Sequence, residues 1–280
     1  MSGWGKELAD IWTNNVAPSR PSCAELALYT KYLRKIQAIV DHPIKLLVLG
    51  STPEFRDWGY DENMEINVVD KSKEYYEQIS REIRHKNLKE KVYFLKWEDM
   101  HFDKKYDIII GDLSIGNVEP NRFREFLINI RDALSDNGIF MGKSFIWRDT
   151  ELVKSPKEIV DNYKHSIHIH PYTFINHQLG LYCLDKKKYS IDFGRMYQEL
   201  KRLFDDGYID KELFSNFQNV GWNTEMKFKF FAPSEQFFVQ NVNDVLRLVK
   251  FEHTEDIYTN VFPIFIIKKR LNHQNGDSSV

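Results

Sequence analysis

The sequence predicts an α/β fold organised around a mostly parallel, nucleoside-binding sheet, and three stretches predict it. The first is Lys45 to Gly59, KLLVLGSTPEFRDWG. Leu46 to Leu49 is a short apolar run that stops at Gly50, as expected of a strand buried on both faces. Gly50-Ser51-Thr52-Pro53 then turns the chain. Gly50 lets the backbone approach a ligand, free N–H groups there favour a polar or anionic group, and Pro53 suits the first turn of a helix. The second stretch, Ile66 to Val69, ends in Asp70, 20 positions after Gly50 (70 − 50). A carboxylate so placed accepts from a ribose diol. The third is DIIIG at Asp107 to Gly111, followed by Asp112. Ligands of open parallel sheets bind at that strand edge.

The remaining elements follow in chain order. Residues 3–15 read as a short helix anchored by Trp12 and broken by Pro18-Ser19-Arg20-Pro21. Ser22 and Glu25 form a capping box for a helix with Leu26, Tyr29, Leu33, Ile36 and Val40 on one face. Lys71 to Leu88 reads as a polar surface helix and Val92 to Leu95 as the third strand. Pro120 opens a helix carrying Phe123, Phe126, Leu127, Ile130 and Leu134, and Asp136-Asn137-Gly138 turns into a fifth strand, Ile139 to Phe145. Past Thr150 the alternation blurs into helices starting near Ser155-Pro156 and spanning Asp192 to Phe204 and Lys211 to Val220. The sheet resumes after a helix from Ser234 to Val249, with strands Phe251 to Tyr258 and Phe262 to Ile267. The expected organisation is therefore an N-terminal helical cap (1–42), a nucleoside-binding half (43–149), an insertion forming an acceptor-side cap (150–230), a closing helix and strands (231–270), and a disordered tail (271–280).

Composition narrows the function. The chain is 42% apolar and 29% charged with a net charge of −2, which argues against broad electrostatic binding to nucleic acid. Two distant cysteines, Cys23 and Cys183, imply no disulfide scaffold and fit a reducing cytoplasm. No apolar run approaches the roughly 18 residues of a membrane span, and the N-terminus has no signal-peptide core. A soluble cytoplasmic protein without a membrane partner is expected.

LGSTPE followed by NVVD resembles the "LGATPE" subgroup of class I S-adenosylmethionine-dependent methyltransferases, in which this hexapeptide replaces the glycine-rich loop. The resemblance continues through YDIIIGD (Tyr106 to Asp112), VFPIFIIKK (Val261 to Lys269) and IW…PSRPS…EL near the N-terminus. It implies a Rossmann-like sheet with an antiparallel closing strand and N-terminal helices over the cofactor. It further implies S-adenosylmethionine as donor, S-adenosylhomocysteine as product and a small-molecule or peptide acceptor. By the same resemblance Gly50, Ser51, Thr52, Glu54 and Gly111 line the cofactor site. Asp112 either faces the methionine moiety or the acceptor, as the first candidate for acceptor positioning, or serves a simple turn or helix-cap role. Arg20 either binds the methionine carboxylate bidentately or is a solvated arginine beside a proline turn. The family usually carries an acid and then tryptophan after the third strand, where this chain has Lys96 and Trp97. Lysine cannot accept from the adenine amino group. Glu98 or Asp99 is left to do so, with Trp97 either against the purine or in the core.

The insertion is rich in rings and histidines: Tyr163, His165, His168, His170, Tyr172, Phe174 and His177. Their spacing matches no zinc pattern, so no metal is expected. His170 is the candidate acceptor-side base, because an imidazole suits proton transfer near neutrality; the alternative is that these histidines are simply solvated or packed. No Asp/Asn-Pro-Pro-Tyr follows the fourth strand, which argues against the amino-methylating nucleic-acid enzymes. Two alternatives stand beside the transferase: a nicotinamide-dependent dehydrogenase, which lacks its Gly-x-Gly-x-x-Gly loop here, and a non-catalytic scaffold that keeps the fold.

Overall fold

Continuous apolar runs become strands only where both faces of a sheet are covered, and this chain supplies two covers. The structure, a computed structural model, describes residues 12–148, 155–164, 171–225 and 227–270. After α1 (Cys23–Gln37) come β1 (Lys45–Leu49), α2 (Pro53–Asp61), β2 (Glu65–Asp70), α3 (Lys73–Ile79), β3 (Lys91–Phe94) and β4 (Tyr106–Asp112). Then follow α4 (Phe123–Ala133) and β5 (Leu134–Lys143). Between β5 and the end of the sheet lie α5 (Pro156–Lys164), α6 (Pro171–Tyr182), β6 (Leu184–Asp185), β7 (Ser190–Asp192), α7 (Phe193–Asp205), α8 (Lys211–Asn219) and β8 (Lys229–Phe231). The chain closes with α9 (Glu235–Val245), β9 (Arg247–Glu252) and β10 (Ile264–Lys268).

The seven-stranded sheet has the order β3-β2-β1-β4-β5-β10-β9. Strands β1 to β5 pair in parallel, while β10 is antiparallel to both of its neighbours. Alternation along β1 divides the core: Leu46 and Val48 face Tyr29, Leu33, Phe55 and Trp58, whereas Leu47 and Leu49 face the cluster of Phe123, Phe126, Phe238 and Phe265. Residues of the insertion, among them Tyr172, Leu179, Leu200 and Phe217, pack with Phe145, Trp147, Val261 and Phe262 into a further core.

Several expectations change. The polar helix expected to reach Leu88 ends at Ile79. Ser80 donates from Oγ to the Tyr76 carbonyl, and the Asp57 carboxylate accepts from the Arg84 and His85 N–H groups, holding the following segment as a loop. The closing helix stops at Val245 rather than Val249, because Asn243 Oδ1 accepts from Leu248 N–H and the chain extends from Leu246. The first closing strand therefore begins at Arg247, not Phe251. Strand β5 begins at Leu134, earlier than the turn at Asp136-Asn137-Gly138 suggested. The insertion is not only helical, since β6, β7 and β8 form a small antiparallel sheet. Of the N-terminal helix expected over 3–15, Trp12–Asn14 is a 3₁₀ turn, Asn15 lies past it, and residues 3–11 lie outside the described residues, as do His165, His168, His170 and the tail 271–280.

Candidate active site

The loop after β1 is shaped by one backbone requirement. Gly50 has φ +86°, a conformation that a side chain strains, and its N–H donates to the Val69 carbonyl at 2.8 Å. The loop thus crosses the C-terminal ends of β1 and β2. Ser51 Oγ donates to Asp70 Oδ2 at 2.6 Å and Ser72 N–H to Oδ1 at 2.9 Å, fixing the carboxylate at the strand end. Desolvation raises the Asp70 pKa despite these bonds. A carboxylate oxygen has more than one lone pair, so both retain accepting capacity.

Trp97 closes the opposite wall. Its Nε1–H donates to the Val69 carbonyl at 2.9 Å, so the indole is fixed beside Gly50. The two candidate substitutes for the missing acid part company. Glu98 is buried and lines the cleft, with Oε1 accepting from Glu119 N–H at 3.1 Å. Asp99 turns instead to Arg122, 2.8 Å away. Lys96 borders the cleft, but its Nζ reaches Glu119 at 3.2 Å. The cleft, about 260 Å³, brings together Gly50, Ser51, Thr52, Asp70, Trp97, Glu98 and Asp112. Three other expected site residues do not line it. Arg20 and Glu54 pair with each other (Nε to Oε1, 2.8 Å). Gly111 packs under Ser114, whose Oγ would lie 2.5 Å from a Cβ added there.

Asp112 belongs to a buried charge cluster. Lys143 Nζ lies 3.2 Å from Asp112 Oδ1, donates to Glu25 Oε2 at 2.9 Å, and donates to the Arg20 carbonyl at 2.9 Å. Neither the Lys143 nor the Glu25 side chain is exposed, and Asp112 is 4% exposed. Desolvation pushes the Asp112 carboxyl up to about 7, against the pull of Lys143 and with Glu25 adding to the rise. Against its own desolvation, Lys143 is held above its ordinary value by Asp112 and Glu25. Glu25 serves twice, since it also accepts from Ser22 N–H in the capping box. Sequence reasoning missed Lys143. The available signal was a lone cation inside the apolar run IFMGKSFIW.

A second cavity of about 140 Å³ adjoins the cleft, with Trp12 lining both. Asp112 faces the cleft and the next residue, Leu113, lines the second cavity. Leu113 has φ +50°, a left-handed conformation unusual for a bulky side chain, and its N–H donates to the Lys143 carbonyl at 3.1 Å. Tyr172, Phe193, Trp222, Phe228 and Phe262 supply walls from the insertion and from the segment before β10. His177 also lines it, between Phe145 and Phe262, and burial pushes its imidazole down to about 4. The N-terminal segment is tied across both cavities: Asn14 Nδ2 donates to the Asn219 carbonyl, Thr173 Oγ1 donates to the Ala17 carbonyl, and Lys143 holds Arg20. Among the described residues no cluster of three or more His, Cys, Asp or Glu is arranged to hold a metal, and no helix is long and apolar enough to cross a membrane.

No family profile matches the sequence. A segment is 36% identical over 86 residues to a Rickettsia prowazekii protein provisionally named a methyltransferase. That match takes in 29% of this chain and 36% of the relative, about a third of the relative's length. Among solved structures, the CcbJ methyltransferase of Streptomyces caelestis superposes with a TM-score of 0.60 at 10% identity, over 95% of this chain and 98% of that one. An S-adenosylmethionine-dependent methyltransferase from Clostridium acetobutylicum gives 0.54 at 10% identity, over 94% and 98%. A Rhodobacter sphaeroides protein provisionally described as a zinc-dependent alcohol dehydrogenase gives 0.56 at 12%, over 95% and 99%. At such identities the likeness is one of fold. With five parallel strands and an antiparallel strand inserted between the fifth and the edge, the chain has the Rossmann-like fold of the class I methyltransferases.

Proposed function

We propose that this chain is an S-adenosylmethionine-dependent methyltransferase of the LGATPE type, acting on a small molecule held in the cavity beneath the insertion. The observation that carries the reading is the meeting of two unlike cavities at one wall. One is a cleft with carboxylates at the ends of β2 and β4; the other is lined by aromatic rings; Trp12 and the Asp112-Leu113 step stand between them. The residues present fit the cofactor. The Gly50 loop leaves room for close approach, Asp70 accepts from the ribose hydroxyls, Trp97 offers an apolar face to the purine, and Glu98 takes the accepting role that Lys96 cannot. Asp112 faces the methionine end, and Arg20 meets the methionine carboxylate by exchanging its present partner Glu54.

S-adenosylmethionine, when bound, supplies an already activated methyl group on a sulfonium. The chain's own task is then to align the acceptor atom with that methyl and to exclude water, which orientation and an apolar wall accomplish. Asp112 is the group in the cleft able to take a proton near neutrality.

Calorimetry with S-adenosylmethionine tests the reading on the wild type and on Asp70→Ala. Charged hydrogen bonds contribute about 1.5–3 kcal/mol each, so affinity falls at least tenfold in the variant, about 1.4 kcal/mol being a decade. A wild type that binds no S-adenosylmethionine refutes the function. Wild-type affinity in a folded Asp70→Ala variant refutes the ribose assignment.

A further inference from the structure

The cavity beside the cleft has a chemistry that narrows its occupant. Its volume of about 140 Å³ is close to the roughly 150 Å³ of an engineered apolar cavity that takes up benzene in another protein. That is space for one ring. None of the described residues lining it is Asp, Glu, Lys or Arg. A charged ligand would lose its hydration there and meet no counter-charge, a penalty of several kcal/mol per ion. The walls are flat π surfaces. Phe193 and Phe228 stack with centroids 4.2 Å apart at 22°, and Trp222 lies 5.8 Å from Phe193. Aromatic faces prefer an aromatic guest in offset or edge contact.

One polar group stands out in this lining. His177 Nε2 is buried and has no hydrogen-bond partner among the described residues. Burial keeps the ring neutral at physiological pH. His177 Nδ1 lies 3.3 Å from the Gln178 side-chain amide nitrogen and accepts from it, so Nε2 carries the proton and is left to donate to a hydroxyl oxygen or a ring nitrogen. Beside it, Asn176 Nδ2 lies 3.4 Å from the Tyr172 hydroxyl. An otherwise apolar cavity with a few polar groups is the pattern of a site that orients a small ligand.

We infer that the cavity binds an uncharged single-ring aromatic molecule bearing a hydroxyl or ring nitrogen, oriented by His177, and that such a ring is the methyl acceptor. The acceptor role rests on the methyl-transfer reading of the cleft; the ring preference stands on the cavity alone. A phosphorylated metabolite or a carboxylate would find no counter-charge among the described residues that line the cavity.

The test titrates the full chain by calorimetry with phenol, benzoate, cyclohexanol and toluene, with and without saturating S-adenosylhomocysteine. Phenol binds at least tenfold tighter than benzoate or cyclohexanol. Gly180→Leu fills the cavity and abolishes phenol binding, while S-adenosylhomocysteine affinity stays within twofold. Should that variant fail to fold, Gly180→Ala serves, since its Cβ meets Ile191 Cδ1 at an ordinary 3.6 Å; phenol affinity then falls at least threefold. His177→Phe lowers phenol affinity to that of toluene. Benzoate binding as tightly as phenol overturns the inference, as does wild-type phenol affinity in Gly180→Leu. Binding of S-adenosylhomocysteine with no ring preference overturns the inference alone, whereas ring preference without S-adenosylhomocysteine binding overturns the methyl-transfer reading and with it the acceptor role.

Discussion

Replacing Asp112 with asparagine should stabilise this protein at alkaline pH. The cluster of Glu25, Asp112 and Lys143 holds two carboxylates and one ammonium out of solvent. Desolvation carries the Asp112 carboxyl from 3.8 to about 7. The folded state thus binds that proton more tightly than the unfolded chain does. Below pH 3.8 both states hold the proton and nothing is lost. As pH rises from about 4 to about 7 the unfolded state ionises first and folding becomes progressively less favourable; above 7 the loss is complete. One pK unit corresponds to about 1.36 kcal/mol, so a shift of about three units is on the order of 4 kcal/mol at pH 8. Asparagine carries no such penalty and leaves Glu25 and Lys143 as a neutral pair. Urea unfolding at pH 8 and pH 5 checks this: Asp112→Asn is more stable than wild type at pH 8, and the gap narrows at pH 5. A variant less stable than wild type at pH 8, or a gap that ignores pH, refutes the reasoning.

Two further substitutions probe the same region. Lys143→Met leaves two buried carboxylates without their cation, and removing one partner of a buried pair costs about 3–5 kcal/mol; unfolding at pH 8 shows the loss, which shrinks at pH 5 as Asp112 takes up its proton. Gly50→Ala places a side chain at φ +86°, costing about 1–3 kcal/mol of strain by denaturant unfolding, and lowers S-adenosylmethionine affinity because the loop shifts. A Gly50→Ala protein that matches wild type in both measurements would show that the loop does not need its left-handed turn.

The sheet was legible because its strands advertise themselves locally. Leu46 to Leu49 and Ile108 to Ile110 are unbroken apolar runs because each alternate residue meets a different covered face. Asp70 and Asp112 were legible as acids at the ends of such runs. Lys143 was not, since its partner Glu25 lies 118 residues away and its meaning exists only once α1 docks against β5. Glu25 in turn looked fully explained by its capping box. Strands β6, β7 and β8, of two or three residues each, are too short for alternation to register. The boundary at Leu246 was blurred because Val249 continues the apolar spacing of Val242, Val245 and Leu246, while its neighbours Leu248 and Lys250 pair with β10.

Trp12 stands in the wall of both the cleft and the ring-lined cavity. A side chain touched by two guests makes their affinities mutually dependent. Whatever factor an occupant of one cavity applies to binding in the other must return unchanged in the opposite direction, because the coupling free energy belongs to the pair. The segment that carries Trp12 is anchored at Asn219, Thr173 and Lys143, on three separate parts of the chain. Loosening any anchor should therefore alter what either cavity can hold, through the one side chain that lines both.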